Sequence, residues 1–310
     1  MGMREVLCEE MINLMEKDEK VVFIDADLAS ANGTLPIRKR FPERGLDAGI
    51  SEQNMAGMAS GMSAYGLKPY ICTFTAFSTR RICDQIAISM AYAKQNVKII
   101  GTDSGITAQL NGGTHMSMED IGVLRSIPDV MIVEVADEVE LKKALPVIDE
   151  HYGVVYLRMV RKDSPKVYED DYEFKLFENH TVREGSDVAI FTNGIMISEA
   201  LKAAEELKKE GINAKVVNVH TIKPLNRESI IETLKETGCA VTAENHNVLG
   251  GLFSAISEVA ASEVQVPVKA VGVMDHFGEV GKLDFLMEKY NMTYKTIVEK
   301  AKEAIACKNK

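Results

Sequence analysis

A chain of 310 residues, 46% apolar and 26% charged, is long enough for two domains with buried cores. Its net charge of −10, with no basic run interleaved with aromatics, argues against a nucleic-acid surface. No stretch is apolar for long enough to span a bilayer, and the start, Met1-Gly2-Met3-Arg4-Glu5, has no signal-peptide core; five scattered cysteines suit a reducing cytoplasm rather than a disulfide framework or a zinc site.

Residues 5–17 place Val6, Leu7, Met11, Leu14 and Met15 at helical spacing and predict an amphipathic helix. Val21-Val22-Phe23-Ile24 runs into Asp25-Ala26-Asp27, the pattern of a buried strand with acids at its carboxyl end. Ligands gather at such ends in parallel sheets. Residues 29–41 read as loop, with Asn32-Gly33 and Pro36 as breakers. Glu52 then opens a helix of Met55, Ala56, Met58, Ala59, Met62 and Ala64, with Gly57, Gly61 and Ser63 between them. A carboxylate beside such an apolar helix is costly unless something binds it. Glu52 is therefore the first candidate for chemistry; the plain alternative is an early-helix acid or an ion-pair partner.

Residues 68–73 predict a second strand, 80–94 a long helix and 97–100 a third strand. A loop rich in Gly, Ser and Thr follows at 102–118 and holds Asn111-Gly112-Gly113-Thr114-His115. Strands at 130–135 and 154–157 flank a helix at 138–150. Between about 161 and 185 the periodicity breaks and predicts a linker laid over the surface. A second alternation then begins, with strands at 188–192, 215–219, 240–244 and 268–273 and helices at 198–210, 227–236, 253–261 and 294–306. The class is α/β with two domains, each a mostly parallel sheet flanked by helices, at 1–165 and 185–310 with a linker at 166–184.

Other residues invite a chemical reading beside a plain one. Phe74 and Phe77 bracket the end of the second strand, as core or as a stacking wall for a flat heteroaromatic ring. Asp27 is either a loop hydrogen-bond partner or an acid that offsets a cationic ring. His115 sits in a glycine loop at a strand's carboxyl end, where function concentrates. Arg4, Arg158 and Arg161 are possible anion clamps or solvated strand-end residues. Asn245-His246 and the Gly250-Gly251 pair read more plainly as turn chemistry, and neither a G-x-G-x-x-G nor a Walker sequence is present.

Taken in order, Asp25-Ala26-Asp27-Leu28, Gly49-Ile50-Ser51-Glu52-Gln53-Asn54, Thr73-Phe74-Thr75-Ala76-Phe77 and Gly112-Gly113-Thr114-His115 resemble the C-terminal half of a transketolase. Thr242-Ala243-Glu244-Asn245-His246 with Gly250-Gly251, and Asp275-His276-Phe277-Gly278-Glu279-Val280-Gly281, extend the resemblance over essentially the whole chain. It implies a thiamine-diphosphate pyrimidine-binding domain followed by a transketolase C-terminal domain. Glu52 then matches the acid that hydrogen-bonds N1′ of the cofactor's aminopyrimidine and favours the imino tautomer that activates the thiazolium. Phe74 and Phe77 match aromatics against the pyrimidine, and Asp27 an acid near the thiazolium. His115 matches the histidine on substrate hydroxyls or the developing oxyanion, and Arg4 with Arg161 or Arg158 match arginines on the sugar's anionic tail.

The Gly-Asp-Gly…Asn segment with which the family holds the diphosphate and its divalent metal, Mg2+ or Ca2+, does not occur in this chain. The resemblance thus implies one subunit of a split transketolase, no metal ligand of its own, and an N-terminal partner subunit that carries the diphosphate and metal site, two of each chain assembling. The reaction implied is transfer of a two-carbon ketol unit from a ketose, expected to carry a phosphate or a similar anionic tail, to an aldose. The alternatives within the family are the β subunit of a 2-oxo-acid dehydrogenase and a 1-deoxy-xylulose-5-phosphate synthase. Asn111 and Gly113 stand where the family has an acid and a proline, and a histidine used for the sugar phosphate is missing near Thr102. An aromatic is also replaced near Arg80. The donor's tail is therefore open to a sulfonate as well as a phosphate.

Overall fold

The computed structural model describes residues 2–308. Twelve strands are described: β1 Val21–Asp25, β2 Gly45–Asp47, β3 Lys68–Phe74, β4 Lys98–Thr102, β5 Val130–Glu134, β6 Val154–Arg158, β7 His180–Arg183, β8 Val188–Thr192, β9 Ala214–Asn218, β10 Thr221–Lys223, β11 Ala240–Asn247 and β12 Val268–Val273. They form a seven-stranded sheet in the order β10-β5-β6-β4-β3-β1-β2 and a five-stranded sheet in the order β12-β11-β8-β9-β7. All pairs are parallel except β10 on β5 and β7 on β9.

Strands β1, β4, β5 and β6 of the first sheet are buried on both faces, which is why they read as largely apolar runs. Alternation still sorts the side chains. Val21 and Phe23 pack with helices Met3–Lys17 and Glu138–Glu150, whereas Val22 and Ile24 pack with helix Glu52–Ala64 and with Ile86, Met90, Ile121 and Leu124. The first of these cores continues into the second sheet through Val188, Ile190 and Val216. Among the described residues no helix is long and apolar enough to cross a membrane.

Four expectations are corrected. Residues 29–41 contain a helix, Leu35–Arg40, because Pro36 lies in its first turn, where proline starts a helix rather than breaking one. The helix expected at 80–94 is a 3-10 turn at Arg80–Ile82 followed by a π-type helix at Gln85–Tyr92. The 102–118 loop begins as a 3-10 stretch, Gly105–Asn111, kinked at Gln109 with φ +49°. The 166–184 stretch is not simply laid over the surface: Tyr168, Tyr172 and Phe174 are buried, and it ends in β7.

Candidate functional site

The carboxyl ends of β6, β4, β3 and β1, adjacent in the sheet, deliver the candidate residues to one edge. Phe74 ends β3, and a single helical turn, Thr75–Ser78, carries Phe77 round beside it. Their ring centroids are 6.0 Å apart, and the His115 ring lies edge-on at 6.1 Å from Phe74 and 5.3 Å from Phe77. His115 Nδ1 is 2.9 Å from Thr114 Oγ1. Glu52, at the head of its helix, is only 4% exposed. Its Oε1 accepts a 2.7 Å charge-assisted bond from Arg81 Nη1, and the same guanidinium stands 3.8 Å from the Phe77 ring centroid.

Arg161 lies beside Phe74, its guanidinium 5.2 Å from the ring centroid. It grips Asp103 with both ends of its fork, Nε to Oδ1 at 3.1 Å and Nη2 to Oδ2 at 2.9 Å. Burial pushes the Asp103 carboxyl up, and Arg161 only partly offsets that. Arg4 joins Arg161 at the start of the chain. Its backbone N–H donates to Arg161 O at 3.2 Å, and both side chains donate to Ala31 O, at 3.4 Å and 3.1 Å. These contacts bring the two arginines together as one pair.

Arg158 does not belong to it, which corrects the expectation for that residue. It is 0% exposed, and its fork is consumed by Asp120 (2.6 and 3.3 Å), Glu134 (2.6 Å) and Asn245 O (2.7 Å). Burial alone would raise both carboxyls. Asp120, which takes two bonds from Arg158 and one from Tyr156 and lies 3.7 Å from His246, is held below its usual range; Glu134, with one bond, is pushed up. Asp27 stands exposed at the end of β1 with φ +60°, its backbone N–H on Asp47 Oδ1, and it joins none of the contacts above. The buried acid of that strand end is Asp25, pushed up to about 6 by burial, which caps the following loop through Leu28 N–H.

Sequence reasoning missed the part that four residues play. Arg81 and Asp103 partner Glu52 and Arg161. The third is Asn245, whose side chain accepts from Ile106 N–H at 3.0 Å and donates to Ser104 O at 2.9 Å. It thereby fixes the start of the His115 loop from the second domain. The fourth, Gly278, covers the other end of that loop. A Cβ on Gly113 would run into the Gly278 carbonyl, so the proline of the family pattern has no room here. The available signals were the paired Arg80-Arg81, the acid directly after β4, and the motifs that hold Asn245 and Gly278, the first of which read more plainly as turn chemistry. Thr102, near which the family's histidine is missing, is buried and donates to Asn32 Oδ1 at 2.9 Å.

An acceptor carboxylate at a helix start and a wall of two aromatic rings fit the nitrogen edge and face of an aminopyrimidine. Among the described residues no group of three His, Cys, Asp or Glu side chains is placed to hold a metal ion.

Residues 1–166 match the family described as transketolase, pyrimidine binding domain, and residues 178–297 match transketolase, C-terminal domain. A 6-deoxy-6-sulfo-D-fructose transketolase subunit of Clostridium sp. (strain MSTE9) is 45% identical over 307 residues, covering 99% of this chain and 95% of that one. A putative transketolase C-terminal section of Methanocaldococcus jannaschii is 37% identical over 97% of this chain and 96% of its own length. A solved split-gene transketolase, described as an inactive β4 tetramer, superposes with a TM-score of 0.92 at 37% identity and 99% coverage of both chains. With both domains matched in order and relatives of this length, the chain belongs to the transketolase family, as the C-terminal subunit of its split form.

Proposed function

We propose that this subunit supplies the pyrimidine end of a thiamine-diphosphate site and the substrate loop of an enzyme that moves a two-carbon ketol unit from a ketose with an anionic tail to an aldose. The observation that carries the reading is the joint placement of Glu52, Phe74, Phe77 and His115 at one edge of the sheet. Bound there, the cofactor would supply a nucleophilic carbon able to hold the ketol unit. Glu52 keeps a proton at ring nitrogen N1′, Phe74 and Phe77 exclude water from the ring, and His115 bonds substrate hydroxyls or the charge that develops on oxygen. Asp27, exposed at the end of β1, offsets the cationic ring.

We assign the tail to Arg4 and Arg161. Each guanidinium already has a carboxylate neighbour, Glu5 at 2.8 Å and Asp103 at 2.9 Å, so the clamp has little spare positive charge. Such a clamp suits a singly charged sulfonate better than a doubly charged phosphate. That agrees with the sulfonated fructose of the Clostridium relative, and a sulfonated ketose is the donor we infer.

The diphosphate and its metal fall to a partner subunit. The helix Glu52–Ala64 supports this. Its outer face shows Gln53, Asn54, Gly57, Gly61 and Ala64 to solvent, and a Cβ on either glycine would meet nothing, while Ile50, Tyr65, Ile88 and Tyr92 stand exposed around it. A second polypeptide can approach that face closely.

The test is ketol transfer from a 6-sulfonated ketose by the chain mixed with its partner subunit, thiamine diphosphate and Mg2+. Glu52→Gln is expected to lower turnover by about a hundred- to ten-thousandfold with folding intact. Unchanged turnover would show that the acid is misplaced. Substantial turnover by this chain alone would sink the two-subunit reading.

A further inference from the structure

Glu52 and Phe77 share one neighbour. Arg81 Nη1 is 2.7 Å from Glu52 Oε1, and the guanidinium lies 3.8 Å from the Phe77 ring centroid. These are the same two groups that the proposed site offers to an aminopyrimidine, the carboxylate for a ring nitrogen and the aromatic face for the ring. A guanidinium is itself flat, donates N–H groups in its plane and stacks on aromatic faces. It satisfies Glu52 and Phe77 in the way the ring would.

We propose that Arg81 is a placeholder for the aminopyrimidine: Arg81 and the ring exclude each other on Glu52 and Phe77, and loading the cofactor means swinging Arg81 aside. The proposal rests on the reading of the site given above and names a residue that sets its affinity.

The surroundings favour a side-chain swing over a loop movement. The Arg81 side chain is 42% exposed whereas that of Glu52 is 5%, so the arginine is the member of the pair with room to move. Its backbone carbonyl accepts from Gln53 Nε2 at 3.4 Å, and the side chain of the adjacent Arg80 pairs with Glu119 at 2.6 Å. The pairing also serves the free subunit. A buried carboxylate without a partner is costly, and Arg81 gives Glu52 a cation until the ring arrives.

Thiamine diphosphate binding is measured by titration calorimetry on the chain assembled with its partner subunit in Mg2+, for wild type, Arg81→Met, Arg81→Lys, Glu52→Gln and the Arg81→Met/Glu52→Gln double variant. Methionine keeps the length of the stem without the charge. Arg81→Met is expected to tighten Kd by about tenfold, the worth of a charge-assisted bond no longer broken on loading, with Arg81→Lys in between. In the Glu52→Gln background the gain should fall below about twofold, because the anion that held Arg81 is gone; this coupling is a readout that a purely structural role would not produce. If Arg81→Met leaves Kd unchanged or weakens it while Glu52→Gln weakens binding, the placeholder is wrong and the site stands. If neither substitution moves Kd, the site reading fails and the placeholder with it.

Discussion

Replacing Arg158 by methionine separates the two roles that sequence allows for it. In the structure the side chain is 0% exposed and is the shared cation of two buried acids, Asp120 and Glu134. Methionine fills much of the space but strands both carboxylates out of water. Breaking a buried pair by removing one partner costs about 3–5 kcal/mol. At about 2 °C per kcal/mol for a chain of this size, the melting temperature should fall by about 6–10 °C. Scanning calorimetry measures it directly. A triple variant with Asp120→Asn and Glu134→Gln added removes the stranded charges and should recover at least half of the loss. The reasoning is refuted if Arg158→Met melts like wild type and instead raises KM for the proposed ketose donor, since that pattern belongs to an arginine that grips substrate.

Two further outcomes follow from the geometry. Glu140 accepts bonds from Ala136 N–H, Asn218 and Tyr172, and burial pushes its carboxyl from 4.5 up to about 8. The folded chain then keeps a proton that the unfolded chain has lost, so its contribution to stability is full below 4.5 and is lost as pH rises through 8. Glu140→Gln mimics the protonated form, and the drop in melting temperature between about pH 5 and about pH 8 should shrink, a slope left intact by the variant counting against the buried acid. Gly113→Ala places a methyl group against the Gly278 carbonyl. It should push the 274–282 segment off the His115 loop, seen as faster limited proteolysis of that segment and a higher KM for the ketose; a protease pattern like wild type would show that the two loops do not depend on each other.

What the sequence made legible is local. Apolar strand runs with polar carboxyl ends, an acid heading a small-residue helix, Phe74 and Phe77 three residues apart and a glycine loop before His115 all carry their meaning within a few residues. What it hid depends on distant partners. Arg158 and Arg161 are three residues apart and look alike on the page. Arg158 ends β6 and turns inward because Asp120, Glu134 and Asn245 converge on it from three other elements, while Arg161 lies beyond the strand and meets Asp103 and Phe74. Strands β7 and β10 have too few residues to show a pattern, and each pairs antiparallel at one edge of a sheet. Tyr168 and Tyr172 looked like linker residues because their burial comes from each other, stacked at 3.9 Å, and from Asn218 and Glu140 in the two domains.

The same long-range contacts bind the two domains to each other. The first domain alone would keep Glu52, Phe74, Phe77, Arg4 and Arg161, yet not a shaped substrate loop. One end of that loop is tied to Asn245 of β11, and the other lies under Gly278. Arg158 needs Asn245 O as well, and β5 takes its outer neighbour β10 from the second half. Cutting between these domains would leave buried polar groups unpaired at the loop base and in the Arg158 cluster, each a costly exposure or an unmet bond. At Gly57 and Gly61, by contrast, a Cβ would meet no atom within 4 Å among the described residues, so that part of the helix is open to close approach. The two domains that hold His115 in place therefore depend on remaining on one polypeptide.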